Sequence, residues 1–420
     1  MTDNPEILFD PGFDKTTSKT LNLFWFGFII YSASLSLAAS TVVNYIACQA
    51  LQILGVIIFV PTAIILIQWK FENNYLKIFY ILYCSWLLIV IFRGFLFDYA
   101  NLKFMLFDAE SGLFRYFVPL ILLFPRNAFF YKKLFKVIII LGILFIIYDI
   151  VFHNNLLDLN YTNNAIKFTF ENFTKILSVS CGFIILTFIY HPNRRIFLAL
   201  LVIFISIGFA ILRARRALLF MTISPLFISY MFYLYAGKRR FLIILSSLFI
   251  GLFLISYGIK VYNENKYGAF GLITGRLYED TRTGVEKYFY EDMKAQDWII
   301  GKGINGQYYC PGIDLGKLTS YRSMIETDYL NIILKGGLIS LGLLLLILIP
   351  AIFKGIFYSK NMLSKAAAFW ILLWLMELYP ANVNSFSLNH LLVWISIGIC
   401  YSNEIRNMPE SRIKEIFLIQ

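Results

Sequence analysis

What most constrains this chain is the spacing of its apolar runs, each roughly 18 to 25 residues long and separated by short polar turns. At 1.5 Å per residue a helix of that length reaches across about 30 Å of hydrocarbon. Twelve spans are predicted, near 21–40, 43–68, 76–95, 112–125, 134–152, 175–190, 196–212, 217–236, 240–259, 328–353, 364–380 and 386–402. The fourth is short, and only a Pro380-Ala381-Asn382 turn separates the last two. A soluble globule is excluded, because 59% of the residues are hydrophobic, 15% are charged and the mean hydropathy is +0.70. The expectation is an all-α polytopic membrane protein with about twelve transmembrane helices and one large loop.

The loops divide by charge. Taking the N-terminus as cytoplasmic, alternate loops hold Lys70 and Lys77, then Arg126, Lys132, Lys133 and Lys136, then Arg194 and Arg195. Lys238, Arg239 and Arg240 follow, then Lys354, Lys360 and Lys365, and finally Arg406, Arg412 and Lys414. Each of these loops is net basic, which places them and both termini in the cytoplasm by the positive-inside rule. The division expected is therefore a tail over 1–20, helices one to nine over 21–259, a large outer loop over 260–327, helices ten to twelve over 328–402, and a tail over 403–420. The first twenty residues are polar, so they read as no cleavable signal peptide. The net charge of +12 sits mostly in these turns, so it reads as membrane anchoring and not as a nucleic-acid stripe. Cys48, Cys84, Cys181, Cys310 and Cys400 lack the spacing of a disulfide framework or a zinc site. His153, His191 and His390 are likewise too dispersed for a metal.

On the outer side lie 93–115, 153–175, the cluster Arg213-Ala214-Arg215-Arg216, and 260–326, the extended hydrophilic stretch with nine basic and nine acidic residues. Arginines there are on the wrong side for simple anchoring and stand as functional candidates, with headgroup snorkelling as the competing reading. Snorkelling is favoured for Arg93 and Arg115. Within the long loop, Val285, Tyr288, Phe289 and Met293 recur at helical spacing and predict an ordered helix lying in the membrane interface. Arg282 falls on the same face. A guanidinium offers a planar fork that matches phosphate oxygens, so Arg282 suits a lipid diphosphate, the alternative being a salt bridge to Glu279, Asp280 or Glu286.

These residues carry a resemblance. The run Ala214-Arg215-Arg216-Ala217-Leu218-Leu219, the pieces Gly275-Arg276 and Asp280-Thr281-Arg282, and then Asp297-Trp298-Ile299-Ile300-Gly301-Lys302-Gly303 are followed by Ile325-Glu326-Thr327-Asp328-Tyr329-Leu330 and Leu334-Lys335-Gly336-Gly337-Leu338-Ile339. In order and placement they resemble the O-antigen polymerase and O-antigen ligase superfamily, over roughly 195–355; the first half of the chain matches in hydropathy alone. The resemblance implies a GT-C-like glycosyltransferase of the bacterial inner membrane with its active site facing the periplasm. Its donor and acceptor would be undecaprenyl-diphosphate oligosaccharides, with no nucleotide sugar, no metal and no other cofactor. A chain-length regulator is a further candidate partner. Arg215, Arg216, Arg276 and Arg282 match positions where the family's arginines hold diphosphate, Arg282 foremost. The ligase branch has a histidine at the position of Glu326, which tilts the reading toward a polymerase over a ligase or protein O-oligosaccharyltransferase.

The chemistry then expected is an inverting attack by an acceptor hydroxyl. Glu326 is the candidate proton acceptor, with Asp280 and Asp328 behind it, and the arginines stabilise the departing diphosphate. A helix-start role facing the macrodipole is the plainer reading of Glu326. Trp298, Tyr308 and Tyr309 are candidate sugar contacts, an aromatic belt being the alternative. Gly301, Gly303 and Gly306 predict a turn where backbone approaches a ligand. A transporter or lipid-linked-sugar flippase is the alternative of a different class. It would show internal repeats and helices broken by glycine or proline. No repeat is evident between 20–210 and 210–402, and Glu377 with Pro380 is the nearest broken-helix signal.

Overall fold

The computed structural model describes residues 15–38, 43–108, 112–157, 164–213, 215–236, 256, 260, 282–311 and 320–418. The expected ninth span, together with Arg276 and Asp280, lies outside these residues except for positions 256 and 260. In chain order come α1 (Lys15–Ala38), α2 (Tyr45–Leu66), α3 (Asn74–Phe92) and α4 (Tyr99–Phe107). A 3-10 helix (Leu113–Leu123) leads to α5 (Ala128–Val151), α6 (His153–Leu157), α7 (Asn164–Phe173), a π turn (Thr174–Ser178) and α8 (Cys181–Leu186). Then follow α9 (Asn193–Leu212), α10 (Arg216–Ala236), α11 (Thr283–Asp292), α12 (Ala295–Ile300) and a hairpin of β1 (Tyr308–Tyr309) with β2 (Tyr321–Arg322). The chain continues through α13 (Asp328–Phe357), α14 (Met362–Glu377), α15 (Leu388–Tyr401), α16 (Asn403–Asn407) and α17 (Glu410–Leu418). Among the described residues, eight helical stretches are long and apolar enough to cross a membrane, one of them running through the π turn from Thr169 to Leu186. The chain is an all-α, multi-pass membrane protein.

Local sequence fixes where several helices start. Asn44, Asn73, Asn127 and Asn361 each accept a backbone N–H of the first turn, and Ser387 and Ser402 do the same for α15 and α16. Glycines set the tightest helix contact: a Cβ on Gly27 would lie 2.8 Å from the Phe59 nitrogen, and one on Gly55 2.9 Å from the Gly27 oxygen. Helices α1 and α2 therefore touch backbone to backbone, as small residues allow in membranes. Around that seam Phe28, Tyr31, Phe59, Phe114 and Phe386 pack mostly edge to face, with Phe59 stacked on Phe386 and contacting centroids 5.3–5.8 Å apart.

Loops segregate to two faces. On one, Ser402 donates to Glu72, Arg126 to the Gly398 carbonyl, the Leu363 N–H to Tyr190 and the Met362 N–H to Glu410. On the other, which carries 282–327, Arg93 reaches Ile300 and Gly301, Arg213 reaches Leu156, and Arg282 reaches Tyr379 and Pro380.

Three expected spans differ in form. The 112–125 run is an 11-residue 3-10 helix with its N-terminal Arg115 buried, which overturns the snorkelling reading of that arginine. The 328–353 run is interrupted at Gly337, whose φ of 69° and ψ of −175° are non-helical. Residues 338–357 alone make about 30 Å of helix, enough to cross, so 328–336 form a separate short helix on the 282–327 face. Between α14 and α15 the chain runs irregularly through 378–387, with Tyr379 exposed and Ala381, Val383, Phe386 and Ser387 buried. Buried non-helical backbone requires internal partners. Asp328 supplies two of them, accepting the N–H groups of Val383 and Asn384 at 2.8 and 2.6 Å.

Candidate functional site

The interruption of α13 is where the segment after α12 docks. Breaking a helix frees carbonyls that would otherwise meet the next turn, and the 299–303 loop and α3 fill those positions. Lys302 and Gly303 donate their backbone N–H groups to the Leu334 and Lys335 carbonyls at 2.7 and 2.9 Å, and the Trp86 indole donates to the Gly336 carbonyl at 2.8 Å. The approach leaves no room for side chains. A Cβ on Gly337 would lie 2.5 Å from the Ile300 nitrogen and closer still to the Ile299 carbonyl; one on Gly301 would lie 2.5 Å from the Lys335 carbonyl. Gly301 and Gly303 have φ of 69° and 81°. The glycine motif thus brings backbone against backbone, which corrects the expectation that it approaches a ligand. Arg93 clamps the same loop by donating to the Ile300 and Gly301 carbonyls at 2.6 and 2.8 Å, a docking role in place of snorkelling.

Beneath the loop is a buried polar centre. Asp328 and Asn331 lie one turn apart on the first part of α13. Asn331 accepts the Ile325 N–H and donates to the Ile325 backbone carbonyl and to the Asn382 side-chain Oδ1, pinning three strands of chain together. Lys335, one turn on, donates to the Gly306 carbonyl at 2.8 Å. Arg115 donates to the Tyr116 hydroxyl at 2.8 Å and lies within electrostatic reach of Asp328, Lys335 and His390. A cavity of about 20 Å³ between them is lined by Arg115, Tyr116, Asn331, Lys335 and Asn384, with room for about one water. His390 is locked below: its Nδ1 faces the Ser385 carbonyl, its Nε2 accepts from Trp394, and its ring stacks on Trp374 at 5.1 Å.

Above this centre the chain alternates. Asp328 points inward, Thr327 donates its hydroxyl to Glu286 at 2.5 Å, and Glu326 points outward, half-exposed, 3.9 Å from Arg282 Nε. Arg282 is the N-cap of α11 and donates to the Tyr379 and Pro380 carbonyls at 3.1 and 2.8 Å, so two of its N–H donors are taken and its plane is fixed. A cation there also suits the carbonyl-rich end of α14. Of the three salt-bridge partners expected for Arg282, Glu286 is engaged with Thr327 instead, while Glu279 and Asp280 lie outside the described residues.

Tyrosines crowd the same junction. Arg282 sits 5.6 Å from the centroid of the Tyr379 ring, Tyr379 is near-parallel to Tyr329 at 6.4 Å, and Tyr290 is near-parallel to Trp298 at 5.9 Å. Burial first, then Glu286 and Tyr379, push the Tyr290 hydroxyl above its usual pKa. Helix α11 turns Val285, Phe289 and Met293 onto the start of α13 and onto Tyr308 and Cys310. The helix expected to lie in the membrane interface therefore has its apolar face covered by protein.

The other expected site residues divide. Tyr308 is fully buried under Phe289, with ring centroids 5.7 Å apart, and offers no face to a sugar, contrary to expectation. Tyr309 is exposed and meets Tyr321 edge to face at 5.5 Å. Trp298 is half-buried between Phe289 and Tyr290. At the α9–α10 junction Arg213 is buried and donates to the Leu156 carbonyl, Arg215 pairs with Glu171 at 3.2 Å, and Arg216 is exposed. Glu171 also binds Lys175 at 3.0 Å. Arg282 and Glu326 are thus brought together, while Arg215 and Arg216 belong to a different junction.

Comparison with family models, curated proteins and solved structures found no match. The resemblance to the O-antigen polymerase and ligase superfamily accordingly rests on the quoted motifs. Three residues of the junction were not singled out from the sequence as site candidates: Glu286, which entered only as a possible salt-bridge partner, Tyr379 and Lys335. Lys335 did carry a signal, being a lone charge before Gly336-Gly337 within an apolar run. Tyr379 and Glu286 carried none, because only folding places them side by side.

Proposed function

We propose that this protein is a membrane glycosyltransferase of the O-antigen polymerase type, using a polyprenyl-diphosphate oligosaccharide as donor at the face that carries 282–327. That face would be periplasmic, in a bacterial inner membrane, with twelve spans and a GT-C-like arrangement. The observation that carries the reading is the 3.9 Å approach of Arg282 to Glu326. A cation suited to a diphosphate and a carboxylate suited to a hydroxyl proton stand at one half-exposed junction, on a segment fixed by backbone docking.

In the reaction, an acceptor hydroxyl oxygen bonds to the donor's anomeric carbon as the bond from that carbon to the diphosphate oxygen breaks. The electron pair leaves with the diphosphate, the configuration inverts, and Glu326 takes the hydroxyl proton. Arg282 meets the growing negative charge, so its contribution is larger in the transition state than in the ground state. Arg215 and Arg216, the other arginines of the motif, stand at the separate α9–α10 junction, where Arg215 is held by Glu171.

Transport is favoured by one observation, the interruption of α13 at Gly337 beside Lys335. Broken helices in transporters leave carbonyls to coordinate an ion. Here the carbonyls of Leu334, Lys335 and Gly336 all accept hydrogen bonds from the protein, which weighs against that use.

The test is turnover by purified protein in nanodiscs with undecaprenyl-diphosphate oligosaccharide and a chelator, followed by gel and mass spectrometry. Lipid-linked products differing by one repeat unit are expected from the wild type, and loss of turnover by at least about a hundredfold in Glu326→Gln. Glu326 is half-exposed, so this variant keeps the fold. An unchanged donor, or donor crossing the bilayer intact in proteoliposomes, would overturn the reading.

A further inference from the structure

Two tyrosines at the junction are far more exposed than a packing role requires: Tyr379 at 60% and Tyr290 at 48%. Neither is an isolated surface ring. The hydroxyls of Tyr290 and Tyr329 lie within electrostatic reach of Glu286 and of Tyr379, and Thr283, Glu286, Lys287, Tyr290 and Glu291 line one open face of α11. One oxygen of Glu286 accepts the Thr327 hydroxyl, which fixes the carboxylate; its second oxygen carries no hydrogen bond among the described residues.

We propose that Tyr290 and Tyr379, with the Glu286 carboxylate as hydrogen-bond acceptor, bind a sugar ring of the glycan substrate. The chemistry selects that occupant. A pyranose has an apolar C–H face that packs on an aromatic ring and hydroxyls at its edge that donate to carboxylates. Here exposed rings and acceptors alternate along one surface. A lipid tail would leave Glu286 and Glu291 desolvated. An anionic headgroup would meet Glu286, Glu291 and Glu326. The nearby cations Arg282 and Lys287 offset much of this negative charge, so this surface favours a polyhydroxylated ligand over a strongly charged one. Arg282 packs on Tyr379, 5.6 Å from its ring centroid, and faces Glu326, so a sugar on Tyr379 lies beside the proposed reacting groups. The inference rests on the glycosyltransferase reading for the identity of the glycan, but its binding claim stands apart from turnover.

The probe is an array of tagged bacterial oligosaccharides, with saturation-transfer NMR on the strongest binder, using full-length protein in nanodiscs. Wild type is expected to bind at least one glycan above empty nanodiscs, and Tyr379→Ala and Glu286→Gln to weaken that binding about tenfold each. Tyr379→Phe should retain binding, since it keeps the ring, and Tyr99→Ala, an exposed tyrosine elsewhere, should leave it unchanged. Equal binding to empty nanodiscs would assign the rings to the membrane surface and overturn the proposal. So would glycan binding insensitive to Tyr379→Ala. Tyr379-dependent binding without any turnover would sink the enzyme reading and keep this one; Glu326-dependent turnover with an unaltered KM in Tyr379→Ala would do the reverse.

Discussion

Replacing Gly337 with alanine should undock the 299–303 loop, and the size of the effect follows from the geometry. The residue holds φ 69° and ψ −175°, a region open almost solely to glycine and costing a side chain about 1–3 kcal/mol. A Cβ would also press on the Ile299 carbonyl and the Ile300 nitrogen, forcing the loop outward. Two hydrogen bonds would then be lost, Lys302 to Leu334 and Gly303 to Lys335, each contributing about 1 kcal/mol net. The total is about 3–5 kcal/mol, which raises the undocked population by roughly a hundred- to a few-thousand-fold. Trypsin reads this directly. Cleavage between Lys302 and Gly303 requires their backbone to leave α13, and when reclosing is fast the cleavage rate follows the open population. The rate at that bond, measured by mass spectrometry against cleavage after exposed Lys287, should rise by that factor in Gly337→Ala. An unchanged ratio would refute the docking argument, because the variant cannot keep both a Cβ and the observed contact.

Two further outcomes are expected. Asp328→Ala should cost about 3–5 kcal/mol by stranding the Val383 and Asn384 N–H groups, and Asp328→Asn clearly less, since it keeps one acceptor; urea midpoints of the two variants in detergent give the comparison. His191 is buried, donates from Nε2 to Thr187, and turns Nδ1 toward Arg195, so burial and then that guanidinium hold its pKa down to about 3 from 6.5. A depressed histidine stabilises the fold above the unfolded value and loses that contribution as pH falls. Wild type should lose about 2 kcal/mol more than His191→Asn between pH 7.5 and pH 5, and parallel stability profiles would show that His191 titrates in the folded protein as it does in the unfolded chain.

Much of the architecture was legible because hydrocarbon thickness imposes a length on every run. The positions of α1, α2, α3, α5, α9 and α10 follow from apolar stretches alone. What hydropathy could not display was the irregular interior. The run around Lys335-Gly336-Gly337 has the composition of one long span, yet it is broken because a second stretch of backbone, more than thirty residues earlier, occupies the break. Arg115 reads as an interfacial cation by position, but apart from its neighbour Tyr116 the groups within its electrostatic reach, Asp328, Lys335 and His390, come from the far end of the chain. At the candidate site the motif residues Arg282 and Glu326 were recognisable individually. Their tyrosine and glutamate neighbours were not, since Tyr379 comes from the turn after α14 and Glu286 from α11. Tyr308 and Tyr309 illustrate the limit in miniature: adjacent aromatic residues on a short strand face opposite ways, one into the packing and one to solvent.

Helix α15 has all fourteen of its residues buried, enclosed by α13, α14, the 3-10 helix and the rings of Tyr80 and Tyr83 on α3. At about 21 Å it is too short to cross hydrocarbon unaided. Its surroundings are synthesised before it. Its place in the bundle is therefore set by the helices around it, and the irregular 378–387 turn, pinned by Asp328, fixes where its first residue stands.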